Sequence, residues 1–313
     1  MTKECIFITG GAGYIGSILV PILLSQNYKV IVLDNFLFSQ TSLLTCCTHP
    51  DFQVIRGDCR DKTLLQACLK QADIIIPMAA IVGAPACALD NTAAHSINIQ
   101  AIELLLDLRH GHQKIIYPTT NSGYGIGTKD SLCTEDTPLN PISLYGTTKV
   151  AAERFILAAG QSVSLRLATV FGLSPRMRID LLVNDFVYRA VNDRAVIVFE
   201  GHFKRNYIHI RDVANAFIHV LKHFTQMQNE AYNLGLSTAN LSKLELCAQI
   251  KKQIPDFVFL EADTGEDPDK RNYTVSNEKI ERTGFKPSYS LDVGIAELKK
   301  GYTILRNQCY ANV

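Results

Sequence analysis

Cys5-Ile-Phe-Ile-Thr-Gly-Gly-Ala-Gly-Tyr-Ile-Gly16 is the stretch whose reading decides the fold. A short apolar run ends at Thr9, glycines follow at Gly10, Gly13 and Gly16, and an amphipathic stretch from Ser17 to Gln26 begins at once. Strand, glycine turn and helix in that order make a cradle for a diphosphate. Gly10 permits the tight turn, Gly13 lets the backbone approach the anion, and Gly16 lets the helix lie close on the strand. The anion would meet the first N–H groups of the helix, which have no partner inside it. A second apolar run, Lys29-Val-Ile-Val-Leu-Asp34, ends in an acid about 20 residues on, where ribose hydroxyls should lie. No Arg or Lys stands between Asn35 and Arg56 to receive a 2′-phosphate, so the residues select NAD over NADP.

Outward from this turn, strands and helices alternate. The pattern predicts strands at 4–9, 29–34, 52–56, 73–77, 113–118 and 162–168, with helices at 15–26, 61–70, 91–110 and 145–159. The strand runs are β-branched and nearly continuous, as expected where helices cover both faces of a parallel sheet. Pro21 inside the first helix predicts a kink, and Asn27 stands where a left-handed residue would end that helix. After Val170 the pattern loosens, with helices at 180–192, 211–224, 241–253 and 290–306 and a polar, turn-rich segment at 262–273. The expectation is an α/β chain: a Rossmann-type doubly wound parallel sheet over 1–170 and a smaller C-terminal substrate-binding domain over 171–313. The two are interleaved, with residues about 205–235 returning to the first.

The bulk composition excludes several classes. Net charge is +1 with 19% charged residues and no basic block, which argues against nucleic acid and anionic membrane surfaces. Nine cysteines, an odd number, show no C-x-x-C pair and no histidine cluster at ligand spacing. We therefore expect free thiols in a cytoplasmic protein and no metal. Because the start leads straight into a strand, no signal peptide is expected. The most apolar stretch, Ile74 to Leu89, is too short and too broken by Pro77, Gly83 and Pro85 to span a bilayer.

The chemistry concentrates in Tyr145-Gly-Thr-Thr-Lys149, with Thr120 upstream in Tyr117-Pro-Thr-Thr-Asn-Ser-Gly-Tyr-Gly125. A spacing of four on a helix sets Tyr145 and Lys149 on one face. A tyrosine is a poor base at neutral pH, and a nearby ammonium favours the phenolate. Thr120 would stand at the carboxyl edge of the sheet, where its hydroxyl could hold a substrate oxygen while the proton moves to Tyr145.

These residues, with Gly57-Asp58, Ala79-Ala80, Asn98, Leu165-Arg166 and Arg205-Asn-Tyr-Ile-His-Ile210, give the chain a resemblance over nearly its whole length. It resembles the extended short-chain dehydrogenase/reductases of the NAD-dependent sugar epimerase/dehydratase family. The resemblance implies that NAD is held by Gly10, Gly13, Tyr14, Ile15, Gly16, Asp34, Asn35, Asp58, Cys59, Ala79 and Asn98. Asp58 would lie at the adenine, with Tyr145 and Lys149 at the nicotinamide end. It also implies that Arg205 and Arg271 grip the diphosphate of a nucleotide sugar, which suits bidentate arginine. Helices 91–110 and 145–159 are expected to pair subunits into at least a homodimer.

Departures from the family pattern narrow the reaction. The family's 4,6-dehydratases carry Asp-Glu after the catalytic Thr; here Asn121 and Ser122 stand there, and neither moves a proton usefully near neutral pH. Thr169 and Pro77 replace the family's usual Asn and His and argue against an ordinary galactose-type epimerase. Oxidation at C4 of the sugar remains. The ketone can leave as product, or turn over and be reduced on its other face to give a 4-epimer, and no single residue separates these outcomes. A non-catalytic NAD-binding regulator would have no need of Tyr145, Lys149 and Thr120. Three segments, Asn121-Ser-Gly-Tyr-Gly-Ile-Gly127, Phe171 to Asp180 and Gly265 to Arg271, are similar to the GDP-D-glycero-α-D-manno-heptose C4-dehydrogenases of capsular heptose biosynthesis. That similarity implies a GDP-linked heptose and a 4-keto product. It also implies a 2-oxo acid such as 2-oxoglutarate to reoxidise NADH. Asn121, Ser122, Thr169, Arg176, Arg178, Asn184, Arg205 and Arg271 would then face the substrate.

Overall fold

The computed structural model describes residues 3–127, 132–262 and 271–305. In chain order the strands are β1 (Cys5–Thr9), β2 (Lys29–Asp34), β3 (Phe52–Arg56), β4 (Ile74–Pro77), β5 (Lys114–Thr120), β6 (Leu132–Cys133) and β7 (Ser162–Leu167). They continue with β8 (Thr169–Phe171), β9 (Ala195–Val198), β10 (Lys204–His209), β11 (Glu230–Leu234), β12 (Asn240–Ser242), β13 (Val258–Glu261) and β14 (Thr274–Val275). The helices are α1 (Gly16–Ser25), α2 (Lys62–Leu69), α3 (Ala84–Leu89), α4 (Asn91–His95), α5 (Ala101–Leu108) and α6 (Leu144–Ala158). After these come α7 (Leu182–Asn192), α8 (Ile210–Met227), α9 (Lys243–Gln253), α10 (Glu278–Arg282) and α11 (Leu291–Gly301).

Seven strands form one parallel sheet in the order β3-β2-β1-β4-β5-β7-β11. The chain winds outward from β1 through β2 to β3, then crosses back and places β4 on the other side of β1. Strand order therefore reverses between β1 and β4, and a crevice opens beyond their carboxyl ends. Every residue of β1 is buried. Its side chains alternate, as a strand requires: Ile6 and Ile8 pack into one cluster with Leu19 and Leu23 of α1 and Phe217 and Val220 of α8. Phe7 packs into the opposite cluster with Leu65 of α2, Leu105 of α5 and Ile156 of α6. The sheet is covered on both faces, which is why its strands carry no polar alternation.

Local departures from the sequence pattern have physical reasons. Helix α1 runs unbroken through Pro21, which lies on its exposed side. Asn27 takes the left-handed conformation expected of it, φ 68°. The broken apolar stretch contains α3, because Pro85 falls in the first turn, where its missing N–H has no intrahelical partner to lose. The expected helix 91–110 is interrupted by a π turn at Ser96–Gln100 between α4 and α5. Strand β5 reaches Thr120 because the pairing of Thr119 with Arg166 and of Thr120 with Leu167 continues the ladder. Beyond β7, strands β12, β10 and β8 make a second sheet, β9 pairs with β13 and β6 with β14. Strand β11 returns to the edge of the main sheet beside β7.

Candidate active site

A cavity opens at the switch point. At one end lies the glycine turn. Gly10 has φ +71°, and a Cβ there would come within 2.7 Å of the Ala79 backbone nitrogen. A Cβ on Gly16 would stand 2.3 Å from the Gly11 carbonyl oxygen, so only glycine lets α1 start this close to the turn. Helix α1 has no side-chain cap at its N-terminus, which leaves its first N–H groups for an anion. At the carboxyl end of β2, Asp34 accepts from the Ala12 N–H at 2.9 Å and from the Phe36 N–H at 2.8 Å. Burial raises its pKa, opposed by those two N–H groups. The anion site, the acid at the second strand and the buried, unpartnered Thr119 hydroxyl fit a dinucleotide. Gly13, Tyr14, Ile15, Asn35, Asp58, Cys59 and Ala79 line the same cavity. Arg60 binds Asp58 through Nη2 at 2.5 Å and holds its carboxyl below the ordinary range.

At the other end stand Tyr145 and Lys149, one turn apart on α6. Ser143 caps the helix by accepting from the Gly146 N–H at 3.1 Å. Burial raises the Tyr145 phenol, and it is opposed by the Arg271 and Arg178 charges and by hydrogen bonding to Thr120. Lys149 is itself buried, and burial pushes its ammonium down to about 7 against the pull of Glu153. The face of Tyr117 lies 4.0 Å from its Nζ. The Arg271 and Arg178 charges thus also favour the ionised phenol.

Several residues expected at the site do not line the cavity. Asn98, inside the π turn, donates to the Ile81 carbonyl and to Thr148 Oγ1 and accepts from the Ile81 N–H at 2.8 Å. It holds a cavity-lining residue against α6. Asn184 is wholly buried; it donates to Tyr14 Oη and the Arg178 carbonyl and accepts from the Gly172 N–H. Both of its amide hydrogens and its amide oxygen are engaged within the protein, so it braces Tyr14 and Arg178. Thr169 is half-buried in β8. Arg205, also away from the cavity, lies over the Tyr273 ring at 5.7 Å. Thr120, Asn121 and Ser122 form the buried turn just behind Tyr145, where Ser122 Oγ is bonded by Arg271. Arg176 and Arg178 do line the cavity, Arg176 over the Phe38 ring at 4.4 Å and Arg178 bonded to Asp180 at 2.5 Å. The Gly265–Lys270 part of the third quoted segment lies outside the described residues. Sequence reasoning missed Thr119, Phe38 and Gln40 as lining residues. Their signal was position: the first stands next to last in a sheet strand and the others follow Asp34.

Residues 6–235 match the model of the NAD dependent epimerase/dehydratase family. The chain is 29% identical over 305 residues to Low-salt glycan biosynthesis protein Agl12 of Haloferax volcanii, covering 93% of this chain and 96% of that protein. It is 31% identical over 272 residues to the UDP-glucose 4-epimerase of Halalkalibacterium halodurans, covering 78% and 80%. The structure of UDP-glucuronic acid 4-epimerase from Bacillus cereus, in complex with UDP-glucuronic acid and NAD, superposes with a TM-score of 0.83 at 25% identity, covering 96% and 99%. No helix of the described residues is long and apolar enough to cross a membrane. The chain belongs to the NAD dependent epimerase/dehydratase family, and its cofactor is NAD.

Proposed function

We propose that this enzyme oxidises a nucleotide-diphosphate sugar at C4, with GDP-D-glycero-α-D-manno-heptose as substrate and the 4-ketone as product. Bound NAD supplies the hydride acceptor. Tyr145 Oη takes the proton of the C4 hydroxyl, and Thr120 holds the sugar oxygen as the proton leaves. Lys149 would bond the nicotinamide ribose. Arg178, which lines the same cavity, favours the ionised Tyr145. The reading is carried by one observation: Tyr145 and Lys149 line the cavity together, while the two positions after Thr120 hold an amide and a hydroxyl instead of an acid pair. Oxidation has its base, and elimination of water lacks its acid and base. The heptose rests on the three quoted segments, and a 2-oxo acid such as 2-oxoglutarate is the proposed oxidant for NADH.

A second reading, a 4-epimerase, is favoured by the 31% identical relative named UDP-glucose 4-epimerase. Incubation with GDP-D-glycero-α-D-manno-heptose, with and without 2-oxoglutarate, followed by mass spectrometry, separates the two. A product lighter by two hydrogens supports the dehydrogenase. An isomer of unchanged mass formed without oxidant supports the epimerase, and loss of water contradicts both.

A further inference from the structure

We propose that Phe38 and Arg176 form a clasp on the cavity: their contact opens for NAD to enter or leave, and it sets how long the cofactor stays. Three stretches of chain line the cavity together: the glycine turn, the segment after β2 and the segment after β8. The turn is bonded to each of the others. Ser42 Oγ donates to the Ala12 carbonyl at 2.7 Å, and Asp34 accepts the Ala12 N–H at 2.9 Å. Toward the segment after β8, Tyr14 Oη donates to the Gly172 carbonyl at 2.7 Å, and Ser174 Oγ donates to the Tyr14 carbonyl at 2.8 Å. The third join links the two segments to each other: the Arg176 guanidinium lies over the Phe38 ring, 4.4 Å from its centre. The three joins make a closed circuit of contacts. Two of them are pairs of hydrogen bonds. The third is a stack on a ring that is 44% exposed, and a cation over an exposed ring contributes less than such a pair. The circuit therefore opens first between Phe38 and Arg176.

The backbone around Phe38 fits that use. Phe36 and Ser39 flank Leu37 and Phe38 and take φ values of 54° and 50°, in the region that favours glycine. Residues held there gather at ligand clamps and switches, and they persist only where their surroundings hold them. Here the Phe36 N–H donates to Asp34 at 2.8 Å, the Ser39 N–H donates to the Phe36 carbonyl at 2.9 Å, and the Arg56 guanidinium lies 4.8 Å from the Phe36 ring centre. The bend is thus anchored at its base, on Asp34, and its tip is held by the stack. A clasp suits either reading of the reaction, since an epimerase returns hydride from the same cofactor and a dehydrogenase must have that cofactor reoxidised. It does not depend on which sugar is bound.

The test follows NADH fluorescence by stopped flow, both in binding and in displacement of bound NADH by excess NAD, with no sugar present. Phe38→Ala should raise the entry rate and the release rate together, by about two- to fivefold each, because the lost contact is within the protein and opens for passage in both directions. Phe38→Tyr keeps a ring for the guanidinium and should match the wild type. Phe38→Ala should add little in the Arg176→Gln background. Unchanged rates, a release rate that rises while entry does not, or full additivity of the two changes overturns the clasp. Since no sugar enters the measurement, its failure leaves the proposed reaction standing, and a protein that turns over none of the proposed sugar leaves the clasp standing.

Discussion

Replacing Glu153 with glutamine should cost this protein a large part of its stability. Glu153 and Arg166 are 2% and 8% exposed at their side chains. The carboxylate accepts from Arg166 Nη2 at 2.8 Å and Nε at 3.1 Å, and its other oxygen accepts from Ser164 Oγ at 2.7 Å. Arg166 Nη1 in turn donates to Tyr124 Oη at 3.0 Å and to the Glu135 carbonyl at 3.1 Å. Glutamine keeps the shape but removes the charge and leaves the guanidinium buried without its counter-ion. Breaking such a pair costs about 3–5 kcal/mol, against a total of about 5–15 kcal/mol. At about 2–4 °C per kcal/mol, the melting temperature should fall by roughly 6–20 °C. Tyr124 ends the turn that begins at Thr120, so activity should fall before unfolding is reached. Thermal denaturation followed by circular dichroism reads the effect. A Glu153→Met/Arg166→Met double variant should recover most of the loss, since an apolar pair leaves no stranded charge. A melting temperature for Glu153→Gln within about 2 °C of wild type would refute the reasoning.

Two further outcomes follow from single positions. Gly10→Ala forces a side chain onto φ +71° and a Cβ to 2.7 Å from backbone; NAD affinity by calorimetry should drop by about tenfold or more, and unchanged binding would count against the cradle. Lys149→Met should make the NAD-free protein more stable at pH 7. Burial lowers the folded-state pKa of Lys149 from 10.5 to about 7, so the wild type carries the full penalty below about 7 and sheds it as pH rises toward 10.5. The gap in melting temperature should close over that window, and a gap independent of pH would contradict the burial argument.

Local signals made much of the fold legible. The six strands of the first half lie where their apolar runs fall, and α1, α2 and α6 match within a residue or two, because burial on both faces leaves little ambiguity in a parallel sheet. What stayed hidden depends on long-range pairing. The pairs β9 with β13 and β6 with β14 join short stretches far apart in sequence and carry no periodicity of their own. At the site, Tyr145, Lys149 and the glycine turn were readable because spacing dictates their geometry. The partners of Asn98 and Asn184 were not, since a buried amide reads the same in sequence whether it meets a ligand or the protein. Likewise, Arg178 and Arg271, which favour the ionised Tyr145, are remote from it in the chain, and no local spacing announces them.

The central claim is that Tyr145 takes the proton as C4 is oxidised. The most direct measurement is the single-turnover absorbance of reduced nicotinamide after mixing NAD-loaded enzyme with the GDP-heptose, in wild type and in Tyr145→Phe. Reduction is expected in the wild type, at a rate higher by about 10²–10⁴ than in the variant, with NAD still bound in both. Reduction by Tyr145→Phe at the wild-type rate would contradict it.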